Sequence, residues 1–118
     1  MLERLDDLPV GVCLDTAHLF AAGYDIRSSE GLETTIARID RTIGLHRVYV
    51  VHLNDSKTPL GSRVDRHEHI GKGLLGLDAF RHLLHDPRWR NLPMVLETPK
   101  SDDLHEDVEN LCVLRSLL

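Results

Sequence analysis

The stretch Val10-Gly11-Val12-Cys13-Leu14-Asp15-Thr16-Ala17-His18 decides the fold. Its first five residues form a short apolar run without polar alternation, the pattern of a strand buried on both faces in a parallel sheet. A carboxylate follows at once in Asp15, and an imidazole three positions later in His18. The same order occurs twice more, with Val48-Tyr49-Val50-Val51 leading into His52 and Met94-Val95-Leu96 leading into Glu97. Helical patterns lie between and after these runs. Leu32, Ile36, Ile39 and Ile43 share one face of a helix opened by Ser28-Ser29-Glu30 and closed at Gly44. Ala79, Phe80, Leu83 and Leu84 predict a short amphipathic helix ending near Pro87. Leu104, Val108, Leu111 and Leu114 predict a terminal helix after Ser101-Asp102-Asp103, with Asp103 and Glu106 spaced as a capping box. Leu2, Leu5 and Leu8, followed by Pro9, are spaced as the last turns of a helix whose strand would lie upstream, so the chain is expected to begin partway through a fold.

Strand and helix in alternation, with apolar strands, imply an α/β fold with a parallel sheet and right-handed crossovers. No linker or low-complexity tract divides the chain, and residues 1–118 are expected to form a single partial domain. A chain that is 42% hydrophobic and 28% charged is neither disordered nor membrane-spanning in composition. No apolar run approaches the roughly 18 residues of a transmembrane helix, and the N-terminal stretch lacks the apolar segment of a signal peptide. Cys13 and Cys112 are too few for a disulfide framework, so the expected compartment is a reducing cytoplasm. The net charge of −5 argues against a basic patch as the main source of any nucleic-acid affinity. Carboxylates that hold divalent cations would reverse that sign locally.

Parallel strands of such a fold all end at one face, where an active site is built. Asp15, His52 and Glu97 each follow a strand and would therefore converge. One polar residue after a strand is commonly no more than a cap; three in register favour a metal site. His18 adds an imidazole beside Asp15, and the loop after the second strand carries Asp65-Arg66-His67, whose outer two side chains point the same way in an extended segment. A carboxylate with two imidazoles suits a borderline-soft cation such as Zn2+. His69 is a competing ligand and Glu68 a supporting carboxylate or a solvated one. Arg66, Lys57 and Arg63 are candidate phosphate contacts, with exposed loop charges as the plain alternative. Gly71-Lys72-Gly73 fits no phosphate loop and is expected to be a turn. His46, His82, His85 and His105 lie on or beside helices and are assigned no function.

The strings GVCLDTAHLFAAGYD, HLNDSK, GSRVDRHEHIGKG and LETP, in this order, resemble successive blocks of the endonuclease IV family. The resemblance covers the chain from about Val10 through the terminal helix. It implies the C-terminal part, about three βα units, of a (β/α)8 TIM barrel. It also implies zinc-dependent hydrolysis of the phosphodiester 5′ to abasic sites in double-stranded DNA, with three Zn2+ in a full-length member. His18, Asp65 and His67 resemble the complete protein ligand set of one zinc; Asp15, His52 and Glu97 resemble three of the four ligands of a second. Six of nine family ligand positions would thus be present, and little activity is expected of the chain alone. Two further readings stand beside this one. A sugar isomerase or epimerase barrel would also use Asp15, His52 and Glu97, but gives His18, Asp65 and His67 no task. A noncatalytic fragment would persist by self-association through exposed strand edges.

Overall fold

The computed structural model describes residues 11–118. Three parallel strands form its sheet: β1 (Val12–Asp15), β2 (Val48–His52) and β5 (Met94–Val95), with β2 in the centre. Val10 and the leucines of the expected N-terminal helix lie outside the described residues. Between the strands run α1 (Thr16–Ala21), α2 (Ser29–Thr42), α3 (Leu77–His85) and, at the end, α4 (His105–Ser116). A small antiparallel pair, β3 (Asp55–Ser56) with β4 (His67–Glu68), stands off the end of β2. None of the described helices is long and apolar enough to cross a membrane.

The expected helix α2 forms as its sequence dictates. Ser28 is its N-cap, with the hydroxyl accepting the Gly31 N–H at 3.0 Å. Leu32, Ile36 and Ile39 are buried along one face, and Gly44 follows with φ 84°, a conformation only glycine adopts freely. These residues pack with Phe20, Val51, Leu53, Phe80, Leu83 and Trp89 in one apolar layer between helices and sheet. Arg88 ties the outer layer together. Its guanidinium donates to both oxygens of Glu33 (3.0 and 2.6 Å) and of Asp86 (3.0 and 2.7 Å).

Several expectations need correction. Asp15 is the last residue of β1 and not a residue beyond it, and it also caps α1, a helix the apolar spacing did not predict. The Asp103–Glu106 capping box does not form. Leu104 precedes α4 in the left-handed region (φ 57°), and Glu106 instead accepts the N–H and hydroxyl of Ser101 (both 2.6 Å). Of the four spaced residues Leu104, Val108, Leu111 and Leu114, only Leu114 is buried. Within α4 the spaced residues divide, with Leu114 joining the core while Val108 and Leu111 remain exposed.

The two faces of the sheet differ. Leu14, Val51 and Met94 turn toward the helices, whereas the opposite face carries Cys13, Val50 and Val95, with Val95 43% exposed. That uncovered face leads directly to Asp15 and His52.

Candidate metal centre

The parallel register sets Asp15 directly against His52, and His52 against Val95, two residues before Glu97. Because side chains alternate along a strand, these three strand ends present Asp15, His52 and Glu97 on one side. His52 Nδ1 pairs with Glu97 Oε1 and lies 3.7 Å from Asp15 Oδ2.

A second group arrives from the loop between β3 and β4. The Gly61 N–H donates to Phe20 O (3.0 Å) and the Arg63 N–H to Ala21 O (2.9 Å), which pins this loop on the C-terminal end of α1. Asp65 is thereby carried to His18, with 3.5 Å between Oδ2 and Nδ1, and to His67, with 3.4 Å between Oδ1 and Nε2. His67 belongs to both groups, since its Nε2 is also 3.4 Å from Asp15 Oδ2. Donor atoms of Asp15, His67 and Glu97 lie within 4.8 Å of one another. All six candidate ligands therefore come together in one continuous arc, joined at His67.

The tautomer of His67 follows from its partner. Nδ1 lies 2.9 Å from the backbone oxygen of Glu97, which can only accept, so Nδ1 carries the proton. Nε2 faces a carboxylate oxygen of Asp15 and one of Asp65, each at 3.4 Å, which sets a ligand-type nitrogen between the two groups, as is common around ligating histidines. The donor chemistry of the arc, three carboxylates and three imidazoles, fits zinc or a similar divalent ion.

The other candidates separate. His69 Nδ1 faces Asn110 Nδ2 at 3.1 Å and so belongs to the packing between this loop and α4. Glu68 accepts the His69 N–H at 2.8 Å. Gly71-Lys72-Gly73 is a turn, closed by Lys72 N–H to His69 O (3.0 Å). Arg63 lines a cleft of about 400 Å3 with His18, Ala21, Tyr24 and Asp65. Its backbone is held at φ 62°, unusual for a residue with a side chain. Lys57 and Arg66 are exposed on the same loop, paired through Lys57 N–H to Arg66 O at 3.0 Å. Burial, with the nearby Glu97 and Asp15 carboxylates, pushes the Cys13 thiol up, which disfavours a thiolate nucleophile beside the arc. His85 Nε2 meets Leu117 O at 2.8 Å, a contact that fastens the C-terminus. A separate trio, the exposed Asp103 and His105 with the half-buried Glu106, gathers around Ser101 at the start of α4.

Two residues escaped the sequence reading. Asn54 is fully buried, donating from Nδ2 to Asp15 Oδ2 and accepting the Glu97 N–H at Oδ1, both at 2.8 Å. Asp55, also fully buried, accepts backbone N–H groups of Ser56, Gly71, Leu75 and Gly76. The only signal was their place in HLNDSK, directly after a ligand-bearing strand.

A parallel sheet with ligand types gathered at its strand ends is the architecture of a metal-site TIM barrel, and residues 1–116 match the family model of the xylose isomerase-like TIM barrel. Probable endonuclease 4 of Chloroflexus aurantiacus is 60% identical over 109 residues, 92% of this chain and 38% of that protein. Its counterpart in Geobacter sulfurreducens is 55% identical over 107 residues, 91% of this chain and 36% of that protein. The crystal structure of endonuclease IV from Thermus thermophilus superposes with a TM-score of 0.82 at 44% identity, covering 98% of this chain and 41% of that one. The chain belongs to the endonuclease IV family of xylose isomerase-like TIM barrels. It spans about two fifths of the length of these relatives and forms a partial barrel.

Proposed function

We propose that this chain carries the metal-binding strand ends of a zinc-dependent endonuclease acting 5′ to abasic sites in double-stranded DNA, in base excision repair. The observation that carries the reading is His67. Its Nδ1 is committed to the Glu97 carbonyl while Nε2 stands 3.4 Å from a carboxylate of each group. His18, Asp65 and His67 would hold one zinc, and Asp15, His52 and Glu97 would hold most of a second. Bound zinc supplies Lewis acidity, acidifying water and offsetting charge on phosphodiester oxygens. The chain's own residues orient the substrate: Arg63 in the cleft beside His18 and Asp65 is placed to take a strand phosphate, with Arg66 and Lys57 on the rim. No side-chain nucleophile is required of this set. With six of the nine family ligand positions, the chain by itself is expected to be impaired in cleavage.

Zinc content after dialysis, measured by mass spectrometry, tests the reading together with an abasic-duplex cleavage assay. Wild-type chain is expected to retain zinc and His67→Asn to lose most of it. A wild type that retains none would sink the metal reading, and robust chelator-sensitive cleavage by the chain alone would sink the expected impairment.

A further inference from the structure

Asn54 joins two strand ends that no backbone hydrogen bond joins, since β1 and β5 lie on opposite sides of β2. Its backbone is immobilised first: the Thr16 hydroxyl donates to Asn54 O at 2.6 Å and accepts the Asn54 N–H at 2.9 Å. Its carboxamide then has one workable orientation. The Glu97 N–H can only donate and so takes Oδ1; the Asp15 carboxylate takes Nδ2. A flipped amide would set donor against donor and oxygen against oxygen.

Asp15 is left with little freedom. Oδ1 accepts the His18 N–H at 3.0 Å, and Oδ2, held by Asn54, is the atom that faces His67 Nε2 and His52 Nδ1. At Glu97, fixing the backbone N–H also orients the residue whose C=O sets the His67 tautomer.

We infer that Asn54 is a positioning residue of the metal centre, aiming the Asp15 carboxylate and the Glu97 backbone at His52 and His67. The inference rests on the metal-binding reading above, and Asn54 itself touches neither ion nor substrate. A purely structural role would also destabilise the fold on substitution, so the deciding readout is metal affinity, together with the ligand field it reports. Residues that orient metal ligands typically change affinity about ten- to a hundredfold when removed.

Co2+ titration of the full chain, followed by visible absorption, separates the roles. In Asn54→Ala at least one binding step is expected to weaken about ten- to a hundredfold with an altered absorption band. Thr35→Val, which removes a buried hydroxyl bonded to Gly31 O within α2 and leaves the junction of Asn54 with Thr16, Asp15 and Glu97 intact, should leave every step close to wild type. Asn54→Ala binding Co2+ as tightly as wild type would overturn the positioning role alone, while a wild type that binds no Co2+ would overturn the metal reading and this role with it. If Asn54→Ala does not fold, the 15N side-chain amide of Asn54 in the wild-type chain decides. It is expected to shift as Zn2+ is added, and an unmoved resonance overturns the inference.

Discussion

Asp55→Ala removes a buried carboxylate on which four backbone N–H groups converge. The carboxylate is fully buried, with Oδ1 accepting the N–H groups of Ser56 and Leu75 (2.8 Å each) and Oδ2 those of Gly71 (2.9 Å) and Gly76 (3.3 Å). Ser56 and Leu75 are buried, so truncation orphans both donors at about 1–3 kcal/mol each. Gly71 and Gly76 are half-buried, and water replaces the carboxylate there at smaller loss. The expected destabilisation is about 2–6 kcal/mol, a large share of the 5–15 kcal/mol that is roughly typical of a folded chain. Urea denaturation followed by circular dichroism reads it directly. With a slope of about 2 kcal/mol/M, the midpoint should fall by roughly 1–3 M. Asp55→Asn should also be destabilised, because its amide sets N–H groups against the N–H donors of the loop. The exposed Asp78→Ala serves as control. An Asp55→Asn midpoint equal to wild type would refute the reasoning, since it would mean that the four donors do not need a carboxylate.

Gly73→Ala should cost about 1–3 kcal/mol by overpacking, because a Cβ there would meet Asp55 Oδ1 and Ser56 O at 2.5 Å; unaltered thermal unfolding would contradict it. Arg88→Met should flatten the acid limb of stability: Arg88 hydrogen bonds hold the Asp86 and Glu33 carboxyls below their usual range, so their contribution is present above the unfolded-state values near 3.8 and 4.5 and is lost as pH falls through the lowered ones. Equal wild-type and variant profiles between neutral and acid pH would remove that role. Sedimentation should show self-association through the β5 edge, unpaired among the described residues, and the exposed residues Val95, Val108 and Leu111, weakened in Leu111→Glu; a wild-type monomer at every concentration tested would exclude it.

The alternation of apolar strands and amphipathic helices was legible because parallel strands and buried helix faces impose different periods. The end-of-strand positions of Asp15, His52 and Glu97 followed from it. Helix α4 was legible as a helix but not in its packing: of its spaced apolar residues Leu114 joins the core, whereas Val108 and Leu111 point away from the described core. A period tells which residues share a face, never what that face meets. His67 was expected with His18 and Asp65, and the structure adds its contact with Asp15, which depends on a hairpin too short to leave a periodic signal. Asn54 and Asp55 were invisible for a different reason. A buried amide or carboxylate is justified by partners distant in sequence, Glu97 for one and Gly71 to Gly76 for the other.

The acidity of the chain acquires a physical meaning at this site. Asp15, Asp65 and Glu97 crowd one end of the sheet, a field that repels a phosphodiester backbone. Two divalent cations more than cancel three carboxylates, so the proposed zinc would make the same surface attractive. Arg63, Arg66 and Lys57 stand on the loop that brings Asp65 to His18, and none has a carboxylate partner among the described residues. The proposed cation binding and phosphate binding would thereby be coupled through one loop. If the arc holds zinc, affinity for DNA should collapse on chelation even though every basic residue remains, which separates this surface from an ordinary basic patch.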